Sequence, residues 1–94
     1  MKAKWNNVVI AESDNTVIIE GNHYFPQDSL KMEYFEKTRT ETVCPWKGCA
    51  SYYSINVNGK KNEDAAWYYK DPSQLASNIK DYVAFSDDIE LVSE

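Results

Sequence analysis

Residues 50–69 read ASYYSINVNGKKNEDAAWYY, and the Asn58-Gly59 pair inside them decides how the chain folds. Both residues tolerate positive φ. A two-residue loop of that kind is the type I′ turn whose twist suits two antiparallel strands. Strands are therefore predicted over 50–57 and 60–70. An unbroken ladder sets Val57 against Lys60, Ile55 against Asn62, Tyr53 against Asp64, Tyr52 against Ala65 and Ala50 against Trp67. Side chains alternate between the faces of a strand. One face then carries Tyr53, Ile55, Val57, Ala66 and Tyr68 and reads as core. The other carries Ala50, Tyr52, Ser54, Ala65, Trp67 and Tyr69. Small residues set between large aromatics leave a hollow, and aromatic hollows with a few polar groups are how small-ligand sites are built. The same face also suits a jigsaw-packed interior, and a bulge between Lys60 and Trp67 shifting the register by one residue would exchange the two faces.

Outward from this hairpin the chain reads as further short strands. Residues 2–5 and 8–12 flank Asn6-Asn7, a second tight hairpin. Residues 16–20 (TVIIE) are a β-branched strand that Gly21-Asn22 ends. A loop or single helical turn follows Pro26. Part of 30–36 and the Thr-rich 38–43 are extended. Asp71-Pro72-Ser73-Gln74 has the grammar of a helix start, with Asp71 as N-cap, Pro72 at the first helical position and Gln74 reaching back. An amphipathic helix is predicted over 72–81, with Leu75 and Ile79 on one face. Residues 83–85 and 89–92 flank Ser86-Asp87-Asp88 as a last hairpin. The predicted fold is mostly β (α+β). Two small antiparallel sheets, or a half-open barrel-like sandwich of short strands, enclose a central cleft and carry one C-terminal amphipathic helix.

The 94 residues make one domain. No linker, repeat or low-complexity run divides residues 1–94. A net charge of −5 opposes a phosphate-backbone binder, which needs a basic stripe. No stretch approaches the ~20 apolar residues of a membrane span. With two cysteines and no apolar leader in the first ten residues, the chain is expected in the reducing cytoplasm.

Cys44-Pro45-Trp46-Lys47-Gly48-Cys49 concentrates the reactive side chains. A zinc site is disfavoured, because structural zinc takes four ligands and the chain offers two cysteines and one histidine. Cys44 reads as a small buried hydrophobe, as a nucleophile activated by a neighbour, or as half of a redox-linked pair with Cys49. Lys47, at the mouth of the aromatic hollow, and Arg39, through its fork of donors, are candidates to hold an anionic group, or else are solvated surface charges. His23 reads as a structural hydrogen-bonder. No standard phosphate loop is present, and neither motif nor spacing names a cofactor.

Trp5-Asn6 with Val9-Ile10-Ala11-Glu12-Ser13, Glu20-Gly21-Asn22-His23-Tyr24-Phe25-Pro26, Val43-Cys44-Pro45-Trp46-Lys47-Gly48 with Ala50-Ser51-Tyr52-Tyr53, Ala65-Ala66-Trp67-Tyr68-Tyr69 with Pro72, and Val83-Ala84-Phe85 together carry a resemblance. Over nearly its whole length the chain resembles the bacterial domain of unknown function 427 family, also labelled nucleotidyltransferase-like. The resemblance implies a compact, mostly-β domain with a cleft between sheets. It marks Cys44, Lys47, Tyr52, Trp67 and Tyr69 as cleft positions. Cys49 departs from the family pattern, as does Ser86, where a tryptophan is expected. The leading functional expectation is binding of a small molecule in the aromatic cleft, with Lys47 or Arg39 on its anionic group. The alternatives are an enzyme, of nucleotidyltransferase-like or Cys44-thiol type, and a protein-interaction module, which would allow a homodimer.

Overall fold

A computed structural model describes residues 1–93, apart from the side chain of Leu75. The described residues form nine strands in three antiparallel sheets. Strands β1 (Lys2–Trp5) and β2 (Val8–Glu12) form the first hairpin, and β9 (Glu90–Val92) joins it on the other edge of β1. β3 (Val17–Ile19) and β4 (Asn22–Tyr24) form a small second hairpin. β5 (Phe35–Cys44), β6 (Gly48–Val57), β7 (Lys60–Tyr69) and β8 (Val83–Phe85) form the largest sheet, in chain order.

The predicted turns hold. Asn58 and Gly59 have φ of 52° and 82°, and Asn6 and Asn7 have φ of 52° and 65°. Glu20 and Gly21 turn the β3–β4 hairpin in the same left-handed region, at 53° and 79°. Gly21 is thus a turn residue and not merely the end of a strand, and Asn22–Tyr24 add a strand that the local sequence signals do not mark.

The register near the turn is as predicted, with Val57 opposite Lys60 and Ile55 opposite Asn62. Beyond it Tyr53 pairs with Ala66, Tyr52 with Trp67 and Ala50 with Tyr69. Ser54 therefore faces three residues of β7, Glu63-Asp64-Ala65, and the ladder slips by two. A slip of two preserves the alternation, so Tyr52, Trp67, Tyr69 and Ala50 stay on one face and Tyr53, Ile55, Val57, Ala66 and Tyr68 on the other. Ala65 is the exception: at the bulge it turns into the core with Ala66.

β5 carries a matching irregularity, where Thr38-Arg39-Thr40 stand opposite Tyr52. The two bulges meet across β6. Asp64, at φ 51°, accepts hydrogen bonds from Thr38 Oγ1 (2.8 Å) and Thr40 Oγ1 (2.7 Å), while its own N–H donates to Ser54 Oγ (3.0 Å).

Two cores flank the large sheet. On one face Ile10, Phe25, Phe35, Tyr53, Ile55, Val57 and Phe85 pack between the sheet and the β1–β2–β9 sheet. On the other, Ala50, Tyr69 and Ala84 pack with Tyr24, Ala76 and Ile79. Phe25 and Val83 exchange two backbone hydrogen bonds (2.7 and 2.8 Å). The β3–β4 hairpin is thereby fastened to the free edge of β8.

The predicted C-terminal helix does not form. The fold is all-β, and its helical pieces are short 3₁₀ segments at Gln27–Ser29, Met32–Tyr34 and Gln74–Ile79. Within the last, Ala76 is non-helical (φ −118°, ψ 20°). Closure explains this. The Asp81 N–H bonds to the Tyr69 carbonyl (2.9 Å), so the segment between them returns to its start. A ten-residue α-helix would carry its ends about 15 Å apart. The expected Leu75–Ile79 stripe falls partly outside the described residues, since the Leu75 side chain is not among them; Ile79 is fully buried. The last predicted hairpin is also corrected. β8 pairs with β7 and β9 pairs with β1, so Ser86-Asp87-Asp88 links two sheets.

Candidate functional site

Lys47 occupies the connection between β5 and β6. Its loop is strapped down by residues 71–73: Ser73 N–H donates to the Lys47 carbonyl (3.0 Å) and the Ser73 hydroxyl to the Trp46 carbonyl. Gly48 sits at φ 110°, a backbone conformation that favours glycine; space is not the reason, since a Cβ there would make only an ordinary contact with the Asp71 carbonyl oxygen, at 3.4 Å. The strap turns the Lys47 side chain inward, leaving it 6% exposed. Its ammonium lies 5.5 Å from the ring centres of Trp46 and Tyr69 and 5.9 Å from that of Tyr24. It donates to Tyr24 Oη (3.4 Å) and pairs with the Glu20 carboxylate at the tip of the β3–β4 turn.

This pair sets the local electrostatics. Burial by itself pushes Lys47 down, but the Glu20 hydrogen bond and the Tyr24 phenol outweigh it and hold the ammonium above the ordinary lysine range. The Lys47 hydrogen bond in turn keeps Glu20 below the usual carboxylate range. Lys47 is therefore a charge already matched within the chain, with three aromatic rings around it.

Of the other positions read from the sequence, Tyr69 joins Lys47 directly, and burial raises its hydroxyl above the usual phenol range. Cys44 is half-buried beside the same cluster. Tyr52 and Trp67 face each other with ring centres 6.4 Å apart, both half-buried, and Trp67 Nε1 donates to Tyr24 Oη (3.3 Å). Arg39 stands exposed in the β5 bulge and forms no ion pair among the described residues. The thiols of Cys44 and Cys49 are both free; Cys49 is exposed and sits opposite Val43, one step along the ladder from the Cys44–Gly48 pair. His23 contacts Thr16 across its hairpin at 3.1 Å. Among the described residues, no three His, Cys, Asp or Glu side chains gather as metal ligands, and no helix is long and apolar enough to cross a membrane.

A surface groove opens on the opposite face of the sheet. It has a volume of about 490 Å³ and is lined by Gln27, Lys37, Tyr53, Tyr68, Lys70 and Asp81. Its floor is a stacked tyrosine pair, Tyr53 and Tyr68, with ring centres 4.7 Å apart. Gln27 Nε2 donates to Tyr53 Oη (3.0 Å). Burial, and then the neighbouring Tyr53 phenol, raise the Tyr68 hydroxyl above its usual range. Lys37, opposite Tyr53 on β5, and Lys70, two residues past Tyr68, are exposed at the rim. Neither forms an ion pair among the described residues.

Sequence reasoning passed over this groove, because an exposed lysine on a strand looks like ordinary solvated charge. The signal lay in the same alternation that placed Tyr53 and Tyr68 together: Lys70 shares their face by the period of two. Another groove, about 240 Å³, lies over the bulges among Thr38, Thr40, Ser54 and Asp64.

The chain belongs to the family described as "Domain of unknown function (DUF427)", whose model matches residues 1–93. Comparison with curated proteins finds no match.

Proposed function

We propose that this member of the DUF427 family binds a small anionic molecule, and that the groove over Tyr53 and Tyr68 receives it. The observation that carries this reading is a local charge excess in an acidic protein. Two lysines against one aspartate give the groove a net +1 (2 − 1), whereas the whole chain is −5. The phenol rings supply an apolar floor, and the volume lies within the range of ligand pockets, about 300–1,000 Å³. The face first expected to hold the anion is less suited, because Glu20 already answers the Lys47 charge. One observation keeps that face as a second reading: Tyr52 and Trp67 remain half-exposed, and Arg39 is exposed on the neighbouring strand. A reducing cytoplasm suits the two free thiols.

A thermal-shift series with inorganic phosphate and small dicarboxylates tests the proposal. A ligand at 100 times its Kd stabilises by about 2.7 kcal/mol. In a domain this size that is on the order of 10 °C or more. The shift should vanish in Lys37→Ala/Lys70→Ala and survive in Trp67→Phe. Loss in Trp67→Phe with retention in the lysine double variant would move the site to the second face. No shift with any anion would refute anion binding.

A further inference from the structure

Resting on the groove reading above, the geometry points to a ligand bearing two negative charges and one positive charge, such as a dicarboxylic amino acid. The groove rim carries the mirror pattern. Lys37 and Lys70 are its two cations and Asp81 its one anion, and none of the three is in an ion pair among the described residues. Opposite charges at one rim that leave each other unmatched are available to a third body.

Asp81 is also held in place. Its backbone sits at φ 61°, in the left-handed region that the short polar side chain of Asp tolerates. Its N–H bonds to the Tyr69 carbonyl at 2.9 Å, and Lys80 bridges to Tyr69. The root of the carboxylate is therefore fixed beside the end of β7, next to Lys70. A purely anionic ligand would meet repulsion there. An ammonium would instead meet a preplaced partner, with the two carboxylates directed to the lysines and the carbon skeleton laid over the phenol floor.

Three compounds of nearly equal shape separate the charges: glutamate, glutarate, which lacks the ammonium, and 4-aminobutyrate, which lacks one carboxylate. Their affinities for the whole chain are measured by calorimetry. Glutamate should bind about tenfold more tightly than either of the others, equivalent to ~1.4 kcal/mol. Asp81→Asn keeps the residue's tolerance of positive φ. It should erase the preference for glutamate over glutarate while leaving glutarate bound at least as well. Lys70→Ala should erase the preference over 4-aminobutyrate. Equal binding of glutamate and glutarate, or a preference unmoved by Asp81→Asn, overturns the inference while leaving anion binding intact. If none of the three binds and phosphate does not bind either, both readings fall.

Discussion

Replacing Asp64 tests what the paired bulges are worth. Asp64→Ala removes both acceptors that hold Thr38 and Thr40, at 2.8 and 2.7 Å. Hydrogen bonds to a charged group contribute about 1.5–3 kcal/mol each, and half-exposure argues for the low end. Alanine at φ 51° adds left-handed strain of about 1 kcal/mol. The sum is about 3–5 kcal/mol, a large part of the 5–15 kcal/mol that stabilises a typical domain. At about 4–8 °C per kcal/mol, Tm should fall by on the order of 10–40 °C. Asp64→Asn keeps one acceptor oxygen and the tolerance of positive φ, so it should cost only ~1–2 kcal/mol. Asp64→Gly loses both bonds but relieves the strain, and should be about 1 kcal/mol more stable than Asp64→Ala. Urea melts of the three variants, at unchanged m-value, give the series. A loss below ~1 kcal/mol for Asp64→Ala would refute the clasp as a source of stability. Equal losses for alanine and glycine would refute the strain component.

Other substitutions probe the second core. Tyr24→Phe strips the acceptor shared by Trp67 Nε1 and Lys47 Nζ. It should lower stability by ~1–2 kcal/mol in urea and shift tryptophan emission. Glu20→Gln should flatten the acid limb of the stability curve. Its carboxyl is lowered in the folded chain, so its contribution is complete above the unfolded value, about 4.3, and disappears as pH falls through the lowered one. Urea midpoints from pH 7 to pH 3 measure this, and parallel curves for parent and variant would exclude it. A thiol reagent on the native protein should titrate exposed Cys49 quickly and half-buried Cys44 slowly, whereas equal rates would contradict the packing of Cys44.

The parts of the fold that were legible in the sequence are those whose chemistry is local. Asn58-Gly59 and Asn6-Asn7 specify their turns because few other residues accept positive φ at both positions. From the first turn, alternation carried Tyr52, Trp67 and Tyr69 to the correct face. The bulges were hidden because Asp64 and Thr38-Arg39-Thr40 offer no glycine to mark them. Their slips of two residues nonetheless left the face assignment standing, except at Ala65. The helix reading failed for the opposite reason. Asp71-Pro72-Ser73-Gln74 has sound local grammar, but Ser73 spends its hydrogen bonds on the Trp46 and Lys47 carbonyls, far away in sequence. The same non-locality hides the partner of Lys47. Its partner Glu20 comes from a hairpin tip 27 residues earlier, and no spacing rule connects them.

β5 has one further significance, for how molecules of this protein behave in a concentrated solution. Its outer side is the open edge of the largest sheet, ten residues long, with Val43 79% exposed. A flat edge of that length is a template on which another molecule could add its own strand. The bulge at Thr38-Arg39-Thr40 breaks that template near its middle, and Glu36, Lys37, Arg39 and Glu41 place charges along it. A chain shortened by two residues within the bulge would keep its side chains on the correct faces, at the loss of at least one threonine hydrogen bond to Asp64. It would also present a straight, continuous edge, and the cost would appear as self-association at high concentration.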